Sequence, residues 1–183
     1  AGTEFRVTSI TFTPETSGWA KVPANNQQYK PNNDSKNPWR IHVQNDGANT
    51  WGAMKYKVVG SSSDVSHTSL KVEKPSGTLE YWWNGAFLDD YAALEEKFSY
   101  TGTITLNSSK ATTSGNKLWV LYQGEDYYFD LTAGTNELEI PEFQYDESVS
   151  EHPGTIQFNF EQLQPDTEIT VTDISFEQAP KDA

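Results

Sequence analysis

The sequence predicts an all-β protein, a β-sandwich with at most one short helix. Apolar and polar residues alternate with a period of two in short runs along the chain, as in Ile156-Gln157-Phe158-Asn159-Phe160, the spacing of a strand with one buried face. Clusters of Pro, Gly, Asn and Ser separate those runs, as in Pro31-Asn32-Asn33-Asp34 and Ser61-Ser62-Ser63. The composition favours Thr, Ser, Asn, Gly and aromatic residues over Leu and Ala, with a single Met, which suits pleated sheets and turns better than helices.

In chain order, strands are expected at 5–13, 39–45, 53–59, 69–73, 79–83, 98–106, 118–123, 127–131, 137–140, 155–161 and 168–176. Because successive strand side chains point to opposite faces, each run divides into two sets. Trp39, Ile41 and Val43 are expected to pack inward, leaving Arg40, His42 and Gln44 outside; Met54, Tyr56 and Val58 go in, leaving Lys55 and Lys57 out. Leu79, Tyr81 and Trp83 go in, with Glu80, Trp82 and Asn84 out. Leu118, Val120 and Tyr122 go in, with Lys117, Trp119 and Gln123 out. Tyr127, Phe129 and Leu131 go in, with Tyr128 and Asp130 out, and Ile156, Phe158 and Phe160 go in, with Gln157, Asn159 and Glu161 out. Ser114-Gly115-Asn116 reads as a hairpin turn before Lys117. The one helical candidate is 89–97, with Asp89 and Asp90 at its start, good helix formers inside and Lys97 at its end. Val7-Thr8-Ser9-Ile10-Thr11-Phe12 echoes Val171-Thr172-Asp173-Ile174-Ser175-Phe176, so the first and last strands are expected in similar places with neighbouring termini. That arrangement suits one domain over 1–178, with 179–183 beginning a linker.

The 183 residues are enough for one domain with a real core. Acidic residues outnumber basic ones 26 to 13, a formal charge of -13 that argues against nucleic acid or an anionic membrane as partner. The apolar run around Trp119-Val120-Leu121-Tyr122, which begins at Leu118, is far too short to span a bilayer as a helix. The absence of cysteine removes disulfides, thiol catalysis and cysteine zinc sites together.

No Gly-x-Ser-x-Gly elbow, phosphate-binding loop or His-Glu-x-x-His zinc helix occurs, and His42, His67 and His152 show no triad context. A glycosidase needs two carboxyl groups about 5–10 Å apart, and Glu80 and Glu161 are the candidates. Glu80-Tyr81-Trp82-Trp83-Asn84-Gly85 resembles the nucleophile strand of small jelly-roll xylanases, but the Pro-Ser-Ile-x-Gly thumb of those enzymes has no counterpart. An ordinary solvated or sugar-contacting Glu80 is the preferred reading. A structural calcium could draw on Asp173 with Glu4 or Thr8, or on Asp46 with Asn45 and Asn49, although neither set has calcium-loop spacing; no cofactor is otherwise expected.

The more informative pattern is an outward set of aromatics, amides and charges. Pyranose rings carry flat C–H faces that stack on aromatic rings, and hydroxyls that pair with amides and charged groups. If the strands share a sheet, Trp82, Trp119 and Tyr128 are stacking platforms ringed by Arg40, His42, Gln123, Gln157, Asn159 and Glu80. A helix over 89–97 packed on Trp119 would instead make that indole part of the core.

With this outward set, the strand Trp39-Arg40-Ile41-His42-Val43-Gln44-Asn45 and the closing strand Ile169 to Glu177 resemble the non-catalytic carbohydrate-binding modules of the β-jelly-roll type found in bacterial plant-polysaccharide-degrading systems. The resemblance implies a jelly roll of two antiparallel sheets whose concave face binds a glycan chain. The expected ligand is a plant cell-wall β-glucan or hemicellulose. It further implies secretion or display at the cell surface, attachment to an enzyme or scaffold in a larger multi-modular protein, a monomeric module and no catalysis. A xylanase-like hydrolase using Glu80 and Glu161, and a structural or adhesive domain of a bacterial surface protein, are the alternatives.

Overall fold

The computed structural model describes residues 19–21, 26–31, 37–43, 54–58, 68–72, 85–89, 91–92, 94–149, 153–160, 162–164 and 166–179. These form strands β1 (Ala20–Lys21), β2 (Asn26–Tyr29), β3 (Trp39–Val43), β4 (Met54–Val58), β5 (Thr68–Val72), β6 (Gly85–Leu88), β7 (Ser99–Ser108), β8 (Leu118–Tyr122), β9 (Glu125–Phe129), β10 (Gly134–Gln144), β11 (Ile156–Asn159) and β12 (Thr167–Gln178), with a 3-10 turn at Glu147–Val149. The strands lie in two six-stranded antiparallel sheets. The first runs in the order β1-β4-β5-β12-β7-β10 and the second β2-β3-β6-β11-β8-β9. From β6 onward the chain passes repeatedly from one sheet to the other, with β9 following β8 as the one hairpin, and the result is a jelly-roll sandwich.

The core lies between the sheets and is built from the expected inward sets. The second sheet contributes Trp39, Ile41, Leu88, Leu118, Val120, Ile156 and Phe158, and the first contributes Leu70, Ile104, Leu106, Ile140, Ile169 and Val171, all almost fully buried. Trp39 packs against Phe158 with ring centroids 5.4 Å apart, and Tyr122, Phe143 and Phe176 meet edge-on or tilted at one end of the sandwich. β12 follows its alternation through Ile169 and Val171, then shifts register between Val171 and Asp173, so that Ile174 and Phe176 face inward after it. Without that bulge Asp173 would be driven into the core; with it, Asp173 is exposed. β10 makes a similar shift between Ile140 and Phe143, where Pro141, which cannot donate to a ladder, sits on an edge strand.

Three local expectations are corrected. The described residues of the 89–97 segment form turns and irregular chain, not a helix. Its backbone donors reach elsewhere, Ala92 N–H to Gly154 O and Lys97 N–H to Tyr145 O, and Lys97 has a φ of 72°, which ends any helical run. The Ser114-Gly115 turn joins β7 of one sheet to β8 of the other, so it is no hairpin. The hairpin is instead at Gln123-Gly124, with φ of 52° and 75°, both residues positive as a type I′ turn demands. Strand β6 was not expected, because Gly85 and Ala86 have little strand propensity. The strand expected at 79–83 and the first at 5–13 lie outside the described residues, as does most of the loop before β3.

β6 occupies a central place in the second sheet, between β3 and β11. A Cβ built on Gly85 would collide with the Phe158 carbonyl oxygen, a backbone atom that cannot swing aside. Gly115, by contrast, has a φ of 83° and nothing within 4 Å of such a Cβ. Gly85→Ala should therefore cost about 3 kcal/mol, lowering the melting temperature by roughly 10 °C. Gly115→Ala should cost only about 1 kcal/mol, the penalty of the left-handed backbone alone. Calorimetric melting of the two variants checks the contrast, and equal melting temperatures would contradict it.

Candidate functional site

Direct partners in an antiparallel ladder carry side chains on the same face, so the register of the second sheet determines what its outer surface displays. Across β3, β6, β11, β8 and β9, one row reads Arg40, Phe87, Gln157, Leu121 and Asp126. The next row, two residues along each strand, reads His42, Gly85, Asn159, Trp119 and Tyr128. Six of the expected site residues, namely Arg40, His42, Gln157, Asn159, Trp119 and Tyr128, thus fall on one face at adjoining positions.

Trp119 is half-buried, and among the described residues no helix covers it. Its ring lies within 18° of parallel to that of Tyr128, centroids 6.0 Å apart, and its Nε1–H donates to Asp126 Oδ1 at 2.7 Å. Tyr128 is 49% exposed. The two rings form an aromatic surface held by a hydrogen bond at one edge. Gln157 and Asn159 were expected to project into solvent; they occupy the outer rows of β11, a strand flanked on both sides, but are only 6% and 1% exposed.

Beside the aromatic pair the surface sinks into a depression of about 370 Å³, lined by Arg40, Phe87, Leu121, Tyr122, Gln123, Gly124, Val149, Thr155 and Gln157. This volume falls within the range of small-molecule sites. Arg40 lies with its guanidinium carbon 4.3 Å from the Phe87 ring centroid. Asp89 holds it in a fork, accepting from Nε at 2.6 Å and from Nη2 at 2.8 Å, so the cation enters the site already paired with a carboxylate.

Gln123 closes one end. Its side-chain Nε2 donates to Pro153 O at 2.6 Å, and its Oε1 accepts from the Asp146 N–H at 3.0 Å. The amide therefore ties the hairpin tip to the chain around Asp146. Asp146 in turn accepts from the Ser148 N–H at 2.7 Å, and the bonds from Ser148 hold its carboxyl below the usual carboxylate range. Val149 stands at the end of this bracket, 46% exposed. Just below the depression Tyr122 donates its hydroxyl to Ala92 O at 2.7 Å, and burial pushes its phenol far above the ordinary range.

A second, more polar depression of about 480 Å³ opens between the edge strands β9 and β10, lined by Gln123, Glu125, Tyr127, Glu142, Phe143, Gln144, Asp146 and Val149. Burial, and then the charge of Glu125, raises the Tyr127 phenol. Sequence reasoning did not anticipate Phe87, Asp89 or Val149 in the site. Phe87 lies on the unexpected strand β6, and Asp89 had been assigned to a helix.

Trp82, Glu80 and Glu161 lie outside the described residues, and for His42 the backbone register alone is described. Among the described residues no group of three His, Asp or Glu side chains could hold a metal. Asp173 sits exposed in β12 opposite Thr105, while Glu4, Thr8, Asn45, Asp46 and Asn49 lie outside the described residues.

No family model matches the chain, and no curated protein matches its sequence. Among solved structures it is similar to a CBM4 carbohydrate-binding module, at 17% identity and a TM-score of 0.45, over 70% of this chain and 96% of that one. It is also similar to a protein of Bacteroides thetaiotaomicron proposed to bind sugar, at 10% identity and a TM-score of 0.45, over 87% and 95% of the two chains. The CBM22-1–GH10 modules of Clostridium thermocellum endo-1,4-beta-D-xylanase 10B, complexed with xylohexaose, overlap at 16% identity and a TM-score of 0.35, over 64% of this chain and 23% of that one.

Gln123→Leu keeps the bulk of the side chain and removes both of its hydrogen bonds. It should destabilise the fold by about 2 kcal/mol, roughly 1 kcal/mol per bond, and speed hydrogen exchange at the Asp146 amide. Urea unfolding with amide exchange measures both, and an unchanged Asp146 exchange rate would show that the bracket is not held by Gln123.

Proposed function

We propose that the outer face of the second sheet binds a polysaccharide chain without cleaving it, and that the ligand is a plant cell-wall β-glucan or hemicellulose. The observation that carries this reading is the near-parallel Trp119–Tyr128 pair on the same face as the depression lined by Arg40 and Gln157. A sugar ring offers flat C–H faces to the aromatics and a rim of hydroxyls to amide and guanidinium groups, and this face supplies both kinds of partner within adjoining rows. Asp89 offsets the Arg40 charge, which suits a neutral chain better than a polyanion.

The absence of catalysis belongs to the same proposal. Glycoside cleavage needs two carboxyl groups flanking the scissile bond. Among the described residues lining the depression beside the aromatic pair, none is Asp or Glu. The carboxylate nearest the indole, Asp126, accepts its N–H. Among the described residues no helix is long and apolar enough to cross a membrane. In this reading the module is secreted or surface-displayed and holds an attached enzyme or scaffold against its substrate.

Affinity electrophoresis in gels containing barley β-glucan, xylan, glucomannan or starch tests the proposal. Retardation in a β-glucan or hemicellulose gel is expected. Trp119→Ala and Tyr128→Ala should each weaken binding by about 2 kcal/mol, close to thirtyfold, if these rings behave as interface anchors do. No retardation in any gel, or release of reducing sugar from the retarding polysaccharide, would overturn it.

A further inference from the structure

Resting on that reading, we infer that the site takes the end of a glycan chain rather than its interior, and that Val149 is the stop. The inference comes from the order of features along β8. Trp119 and Leu121 are successive outward positions of β8, about 7 Å apart along the strand, and Gln123 lies just past its end. Trp119 belongs to the aromatic pair and Leu121 to the lining of the depression. A chain that stacks on the first and fills the second therefore runs parallel to β8, toward the hairpin tip.

At that tip the track is closed. β8 ends at Tyr122, and Gln123 and Gly124 turn the chain back with positive φ. Val149 stands against the turn, its Cβ 3.9 Å from where a Cβ on Gly124 would lie. With Gln123 it lines both the depression on the sheet face and the depression between the sheet edges, so these two side chains stand between the two spaces. A 46%-exposed valine at the end of a 3-10 turn contributes little to the core. The turn that carries it is nevertheless tied down, by the bonds of Gln123 to Asp146 and Pro153, by that of Asp146 to Ser148, and by the Val149 N–H to Asp146 O at 3.5 Å. Two methyl groups offer no hydrogen bond to a sugar hydroxyl, so a chain continuing past them would lose hydration without replacement. A chain that terminates in the depression avoids that penalty.

The test is isothermal titration of the protein against barley β-glucan, xylan and glucomannan, each used intact and after partial endo-cleavage at equal mass. If chain ends are bound, the number of sites per gram rises with the number of ends, about tenfold when the mean chain is cut to a tenth, because mass action then counts termini. Val149→Gly should remove the stop, giving a variant whose sites per gram hardly change on cleavage. Sites per gram independent of chain length in the wild-type protein would overturn the end-binding inference while leaving polysaccharide binding intact, as for a chain lying across the strands. Absence of heat with every polysaccharide, intact or cleaved, would overturn the binding reading and this inference together.

Discussion

The display of side chains on the second sheet depends on one constraint, the close pairing of β6 and β11. β11 is buried on both faces. Ile156 and Phe158 face the core, and Gln157 and Asn159 lie beneath the outer surface. Buried amides persist only when hydrogen-bonded, so the strand is fixed from both sides and cannot slip by one residue without exchanging apolar and amide sets. Gly85 permits the approach, because any side chain there would meet the backbone of Phe158. Once that register is set, Trp119 must stand beside Asn159, and Leu121 beside Gln157. The geometry of the site is a consequence of the ladder.

The loops around the site are tied to the same framework by polar bonds at its margins. Tyr122 has its ring among Phe143 and Phe176, and its hydroxyl reaches the Ala92 carbonyl. Burial keeps that phenol protonated, so it remains a donor throughout the ordinary pH range. Ala92 in turn donates its N–H to Gly154 O, close to Pro153, where Gln123 is bonded. The hairpin tip, the segment after β6 and the chain before β11 are thereby cross-linked, although among the described residues no helix and no disulfide contributes. Asn136 does similar work elsewhere, pairing with both Thr132 and Gly134 where the chain enters β10.

The all-β class and most inward sets were legible in the sequence, because a period of two is a direct consequence of burying one face of a strand. Trp39, Ile41, Leu118, Val120, Ile156 and Phe158 are buried as the alternation requires. What alternation cannot encode is which strands share a sheet. That is decided by long-range pairing, and it is what gathers Arg40, Trp119, Tyr128, Gln157 and Asn159 onto one surface. The helix expected at 89–97 failed because propensity summed over a short window is weaker than the tertiary bonds of Ala92 and Lys97. Strand β6 was missed for the converse reason: Gly85 and Ala86 belong to a strand because of what lies beside them. Asp89 and Phe87 followed from that omission, since neither has a signal of its own apart from the position of Arg40.

The side chains of the proposed site share one property: Trp119, Arg40 and Gln123 are each already engaged within the protein. Trp119 is held by Asp126 and Tyr128, Arg40 by Asp89 and Phe87, and Gln123 by Pro153 and Asp146. Ordering a rotamer-rich side chain on binding costs about 0.5–1.5 kcal/mol, so a face whose groups are fixed during folding meets its ligand with much of that cost removed. The same engagement limits what the face can recognise. Arg40 presents a guanidinium whose charge is largely matched by Asp89, within a protein of formal charge -13, so selection has to come from shape and stacking more than from Coulomb attraction. Stacking distinguishes little among neutral sugars, whereas the outline of a depression bounded by Val149 distinguishes how far a chain can extend. On the end-binding proposal, discrimination at this face is a matter of where the chain must stop, and it is placed in the loop that Gln123 holds.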